Sequence, residues 1–380
     1  MPNLDCNIAK ELIAHPHILF FPSWFPDQGK DLNGSFNLTW AKRMAQFCKV
    51  HVIAVHLEDL DVDFEWRENV IDNLHISRLI LNRKQTKLKR WLLRSKLLAA
   101  RAMELHALDS FDLVHVSVAW NMAFIGHKVS RKLGLPFYIT EHSTYFLTRQ
   151  KFDLKKIISY NLMRKANVVM AVSLELKAHF ESKGMRKVHV IPNFTNVELD
   201  EYSSKISSLY CFAHVTNWDV ERKGTKAVLD SFIKLRSQQP CKLILIANGI
   251  NIETLGYSKK DLKELDIVLY EGFIDPAKYY SCLSQAHCLV NFSSKETFGI
   301  SVVEAVKLGM HTIYTRSGGP ETFMKEEWGS PIEVGDTPDL YKKMEMACKE
   351  KILLKAGDGH RNQLFSAKDI FEQHIKIYHG

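Results

Sequence analysis

Short apolar runs alternate with stretches of helical periodicity along most of the chain. His17 to Pro22 is a continuous apolar run and predicts a buried strand. From Gly34 to Phe47, Phe36, Trp40, Met44 and Phe47 recur at helical spacing, and Val50 to Val55 predicts a second strand. Leu113 to Val118, Phe137 to Thr140, Val168 to Val172 and Val188 to Ile191 continue the series, with a helix from Ser173 to Lys183 behind its Ser cap. Continuous apolar strands separated by helices are the pattern of a parallel α/β sheet buried on both faces. A polar stretch from Leu199 to Ser208 interrupts the rhythm. A second series follows, with strands at 210–215, 242–247, 267–270, 288–292 and 312–314. Its helices fall at 225–235, 276–285, 300–308, 337–355 and 367–378. The expectation is two doubly wound domains facing a cleft, residues 1–200 and 201–363, with ligands beyond the carboxyl ends of the strands.

Composition narrows the class without naming a function. The 380 residues are 46% hydrophobic and 25% charged, which excludes a disordered or low-complexity chain. The net charge of +8 suits an anionic partner and selects none. Seven scattered cysteines without a Cys-x-x-Cys pair argue for reduced core thiols rather than a disulfide framework or a zinc site. Asp5, Lys10 and Glu11 precede any apolar run, so no secretory leader is expected. No stretch reaches the ~20 apolar residues of a spanning helix. A cytoplasmic protein, at most peripherally attached to the inner face of a membrane, is the expectation.

The most informative segment runs from Ser293 to Ala305. A strand ends, a polar loop carries Glu296, and Gly299 opens a helix that carries Glu304. A helix start behind a glycine turn offers free N–H groups and a positive dipole end to a phosphate. Eight residues of helix would separate the carboxylates by ~12 Å at 1.5 Å per residue. That exceeds the ~5–9.5 Å of a glycosidase pair, so divided roles on ligand hydroxyls are expected instead.

The string Glu-Thr-Phe-Gly-Ile-Ser-Val-Val-Glu-Ala at 296–305, followed by Leu308 to Glu321, resembles the E-x7-E signature of retaining glycosyltransferases of the GT-B fold, family GT4. The resemblance implies two Rossmann-like domains, with a last helix (364–380) crossing back to the first. It also implies a nucleotide-diphosphate sugar donor, no required metal or other cofactor, and transfer with retention. Glu304 would hold the ribose, and Glu296 would face the donor sugar. Phe298, Gly299, Ile300 and Ser301 would present backbone to the sugar and diphosphate. Lys223-Gly224 matches the family's Lys-Gly pair, while Asn217 stands where a diphosphate-binding Arg is usual. Arg222 is a candidate substitute, although on a helix it would point away from Lys223. In the first domain, Gly34 matches a phosphate-approaching loop, and His142 the strand-end histidine near the donor sugar, with Glu141 orienting it or meeting the acceptor. Pro192-Asn193 matches the turn into the linker, and Ile274 lies in a segment whose backbone meets the base.

Arg83 to Arg101 holds eight basic residues and no acid, interleaved with Trp91 and leucines. Such a stretch suits an anionic membrane surface, and no nucleic-acid-binding module accompanies it. The acceptor expected from the resemblance is a glycan or lipid-linked glycan of cell-envelope or exopolysaccharide synthesis. Two alternatives stay open here: a GT-B nucleotide-sugar epimerase, and a degenerate nucleotide- or membrane-binding partner subunit.

Overall fold

The computed structural model describes residues 15–26, 34–148, 153–195, 197, 208–217, 219–272, 275–354, 361 and 363–380. The chain divides into two compact units. One comprises Met1–Val172, Leu176–Ile191 and Lys368–Gly380, the other Ser173–Glu175 and Pro192–Ala367.

In chain order the first unit contains β1 (His17–Pro22), α1 (Ser35–Met44), β2 (Lys49–Glu58), β3 (Phe64–Ile71), β4 (Leu74–Asn82), α2 (Lys87–Leu108) and β5 (Leu113–Ser117). It continues with α3 (Ala119–Leu133), β6 (Phe137–Glu141), α4 (Leu154–Met163), β7 (Val168–Ala171), α5 (Leu174–Ser182) and β8 (Val188–Val190). The eight strands lie in the order β3-β4-β2-β1-β5-β6-β7-β8. All neighbours are parallel except β3 and β4, which form an antiparallel hairpin at one edge. The apolar pattern did not announce that hairpin. Its outer strand, Phe-Glu-Trp-Arg-Glu-Asn-Val-Ile, is half-exposed and mixes charges with apolar residues. Arg67 from this edge grips Glu58 of β2 through two nitrogens, at 3.0 and 2.9 Å.

The second unit contains β9 (Tyr210–Asn217), α6 (Thr225–Arg236), β10 (Cys241–Asn248), α7 (Lys259–Glu264), β11 (Ile267–Glu271), α8 (Pro276–Leu283) and β12 (Cys288–Asn291). Then come α9 (Ile300–Lys307), β13 (His311–Thr315), β14 (Gly329–Ile332) and α10 (Thr337–Glu350). Its six parallel strands run β11-β10-β9-β12-β13-β14. Alternate residues of each strand serve opposite cores, as the two-residue strand period requires. Phe212, Leu243 and Leu245 pack with Val228, Phe232 and Met344 on one face. Ala213, Ile244 and Ile246 pack with Leu289, Val302 and Ala305 on the other. At roughly 1.5–3 kcal/mol per fully buried large aliphatic or aromatic side chain, these two faces hold the loops at the strand ends on a rigid frame.

The last helix, α11 (Ala367–His379), returns to the first unit. Its Tyr378 hydroxyl bonds His115 Nδ1 of β5 at 2.7 Å, while His115 Nε2 meets Thr140 Oγ1 of β6 at 2.8 Å. Six cysteines (Cys48, Cys211, Cys241, Cys282, Cys288, Cys348) are buried free thiols, and Cys6 lies outside the described residues. Among the described residues no helix is long and apolar enough to cross a membrane.

Candidate active site

In the second unit the strand order reverses between β9 and β12, the place where open α/β sheets leave a crevice at their carboxyl ends. Both loops that carry the predicted site leave from there. After β9, residues 219–224 form a tight turn in which the Lys223 N–H bonds Asp219 O at 3.0 Å and the Gly224 N–H bonds Glu221 O at 3.1 Å. The turn rests on the strand end after β12. Gly224 has φ 64, and a Cβ there would lie 2.5 Å from Phe292 O, so only glycine fits. The Ser294 N–H, in the second loop, donates to Arg222 O at 2.7 Å and fastens the two loops together.

That fastening brings Lys223 and Glu296 together across 73 residues of sequence. Lys223 Nζ lies 2.5 Å from Glu296 Oε1, and the Ser293 hydroxyl donates to the same oxygen at 2.7 Å. Arg222 Nη1 stands 3.6 Å from it. The expectation that Arg222 points away from its neighbour is corrected: 219–224 is a turn, the helix starts at Thr225, and both cations face Glu296. Arg222 is nevertheless occupied locally, by Asp219 at 2.7 Å and Lys295 O at 2.9 Å. Asn217 accepts the Asp219 N–H through Oδ1 at 3.1 Å and shapes the start of the turn. Glu296 is only 7% exposed. Burial pushes its pKa up, but Lys223, Arg222 and Ser293 outweigh that and hold it below the usual carboxylate range. The site therefore keeps a buried, ionised carboxylate beside a lysine.

Gly299, at φ 93, ends this loop and opens α9 with no side-chain cap. The helix thus presents its positive end uncapped beside Glu296. Ile300 is exposed and Ser301 half-buried at that start. Phe298 is buried against Phe323 and Phe365, at ring-centroid distances of 5.3 and 5.0 Å. It is a core anchor that fixes the loop backbone. A Cβ on Gly319 would lie 2.5 Å from the Phe298 nitrogen, which packs the two loops backbone to backbone.

Glu304 lies one turn into α9, on its buried side. Both its oxygens accept tyrosine hydroxyls from α8: Tyr279 to Oε2 at 2.7 Å and Tyr280 to Oε1 at 3.0 Å. This clamp is not legible in the sequence, because the two adjacent tyrosines sit on a different helix. Burial raises the Glu304 pKa to about 7, against the pull of the two hydroxyls and Lys307. Ile274, predicted to meet the base, lies outside the described residues.

In the first unit the strand order reverses between β1 and β5. Gly34 caps α1 at φ 84, where a Cβ would sit 2.4 Å from the backbone of Trp24. His142 follows β6, with its ring 5.0 Å from that of Phe36 in the first turn of α1. Glu141 is fully buried. Its carboxylate accepts the backbone N–H groups of Ala119 (2.9 Å), His142 (3.0 Å) and Ser143 (2.8 Å). It is thus a buried cap joining the start of α3 to the loop after β6, and it orients His142 through the main chain. Val118, just ahead of α3, takes φ 66, a costly conformation for a β-branched residue. The Ser23 hydroxyl bonds its carbonyl at 2.5 Å.

Residues 34–199 match the family model described as Glycosyltransferase Family 4, and residues 216–357 the model described as Glycosyl transferases group 1. The chain is 26% identical over 292 residues to N-acetyl-alpha-D-glucosaminyl L-malate synthase of Bacillus anthracis, covering 73% of this chain and 74% of that protein. Sucrose-phosphate synthase from Thermosynechococcus elongatus has a similar fold, with a TM-score of 0.72 at 18% identity over 96% of this chain and 98% of that one. So has Anabaena HepE, solved with UDP and glucose, with a TM-score of 0.69 at 16% identity over 95% and 99%.

Proposed function

The chain belongs to glycosyltransferase family 4, a GT-B glycosyltransferase, and from that premise we propose that it moves a sugar from a nucleotide-diphosphate donor to a hydroxyl of a glycan or lipid-linked glycan, retaining the anomeric configuration. The observation that carries this reading is the buried Lys223–Glu296 pair beside the uncapped start of α9. The departing group is a diphosphate, and its charge grows as the glycosidic bond lengthens. Lys223 and the N-terminus of α9 supply positive potential at that place, in a setting that water screens weakly. Glu296 holds the sugar hydroxyls, and Glu304, between its tyrosines, takes the ribose. Acceptor attack from the face the diphosphate leaves, with a phosphate oxygen receiving the acceptor's proton, gives retention. Uracil is the base of first choice, because the similarly folded HepE was solved with UDP. In this reading Lys223 does the work of a cation on the leaving group, and no metal or other cofactor is required.

The test is a panel of UDP-, GDP- and ADP-sugars with glycan and glycolipid acceptors, followed by nucleotide release and by the coupling constant of the product's anomeric proton. Glu296→Ala is expected to lower transfer by about a hundredfold or more while the variant stays folded. Wild-type turnover in that variant, or an inverted product, would contradict the reading.

A further inference from the structure

The first unit carries apolar side chains where a solvated surface belongs. In α2 a stripe at helical spacing runs Leu88, Trp91, Leu92, Ser95, Leu98, Ala99, Ala102. From Ser95 onward it is buried against the sheet. Its first turns are not: Leu88 is 67% exposed, Trp91 47% and Leu92 53%. The α4 helix is inverted. Lys156, Ser159, Leu162 and Met163 face inward, while Leu154, Ile157 and Ile158 face out. Between them α3 contributes the exposed Phe124, and contacts link the three helices into one surface. The Trp91 and Phe124 rings lie 6.2 Å apart. Trp120, one turn before Phe124, holds Lys155 of α4 over its face at 4.3 Å.

The charge of the three helices is as one-sided as this hydrophobicity. They contain eleven lysines and arginines and a single acid, Glu104; Lys156 faces inward, and Lys89 and Arg101 pair with Asp63 and Glu68. That is more positive charge than the net +8 of the whole chain, so the remainder is slightly acidic. Beyond the end of α4 a cavity of 440 Å³ is lined by Arg164, Lys165, Arg186 and Lys187 and by no acid.

We propose that the face formed by the first turns of α2, the middle of α3 and the outer side of α4 is a docking surface for an anionic lipid bilayer. Apolar side chains that reach out between lysines match the interface of such a bilayer, where acyl chains take the former and phosphates the latter. The surface carries charge that would repel a second copy of itself. It also leads to the predicted acceptor side. Trp120 is in the first turn of α3, whose starting N–H of Ala119 is held by Glu141, the neighbour of His142. A hydroxyl acceptor carried in the bilayer would thus be presented at the strand ends. This last step rests on the glycosyltransferase reading, while the docking itself does not.

The experiment is co-sedimentation of the full chain with phosphatidylcholine vesicles, with and without phosphatidylglycerol, at low and high salt. Trp91→Ser/Leu92→Ser and Ile157→Ser/Ile158→Ser are run beside the wild type. Circular dichroism and UDP titration of each variant keep loss of folding and loss of the nucleotide site distinguishable from loss of docking. The expected result is binding that needs phosphatidylglycerol and weakens with salt, and that falls about tenfold or more in each folded variant. Equal sedimentation of wild type and variants would overturn the proposal. So would no sedimentation of the wild type, or dimerisation of the wild type that the serine variants abolish, which would make the face a protein contact.

Discussion

Replacing Lys223 by methionine keeps most of the side chain's bulk and removes its charge, so the consequence falls on Glu296. The two groups are 2.5 Å apart, with side chains only 14% and 10% exposed. Removing one member of a buried ion pair costs about 3–5 kcal/mol, because the other charge is left without its partner. Here Ser293 still donates to the same oxygen and Arg222 stands 3.6 Å away, so a smaller cost, ~2–3 kcal/mol, is the expectation. For a unit of this size that is a fall of ~4–12 °C in the melting of the second unit. The pH dependence identifies the cause. In the wild type the Glu296 pKa is depressed, so its contribution is present above the unfolded-state value of 4.5 and is lost as pH falls through the folded value. The deficit of Lys223→Met is therefore largest near neutral pH and shrinks in acid, where Glu296 takes a proton. Adding Glu296→Gln removes the stranded charge, and the double variant should be more stable than the sum of the single effects by ~1–3 kcal/mol. Calorimetric melting of the four proteins between pH 3 and 8 is the assay. Additive effects, or a deficit independent of pH, would refute the paired geometry.

Three further outcomes follow from the same contacts. Glu304, with a pKa of about 7, accepts ribose hydroxyls best when ionised, so UDP-glucose binding should strengthen as pH rises through 7. Tyr279→Phe removes a hydroxyl that lowers that pKa, and should move the rise to higher pH. Gly224→Ala drives a Cβ to 2.5 Å from Phe292 O at a positive φ. It should cost ~1–3 kcal/mol and weaken nucleotide binding together with stability, read by melting and titration. Glu141→Gln presents an amide to backbone N–H groups that need acceptors and should cost ~1–3 kcal/mol. Because burial raises the Glu141 pKa to about 7, the wild-type first unit loses stability as pH rises from 4.5 to 7. The variant, titrated by denaturant at each pH, should lose that slope.

The sequence exposed whatever depends on neighbours along the chain. The strand at His17–Pro22 is where its apolar run placed it, and the loop–glycine–helix order around Glu296, Gly299 and Glu304 is visible in one segment. What it hid depends on which segments the sheets bring together. Lys223 meets Glu296 only because β9 and β12 are neighbours, and Tyr279 and Tyr280 reach Glu304 only because α8 packs beside α9. Edge strands were also hidden. The half-exposed Phe64–Ile71 has no clean alternation, and Gly329–Ile332 contains Gly and Pro, which belong at sheet edges. Glu141 reads as a residue that orients His142 or meets the acceptor, and its burial as a cap is not legible, because its partners are backbone groups that leave no mark in a sequence.

The central claim is that the second unit holds a nucleoside diphosphate between Lys223, the start of α9 and Glu304. Calorimetric titration of UDP, GDP and ADP into the wild type and Glu304→Ala tests it most directly. The account predicts selective binding of one nucleotide, UDP first, lost in the variant. Absence of binding by all three would contradict it and would show that Asn217, in place of a second cation, leaves the diphosphate unheld.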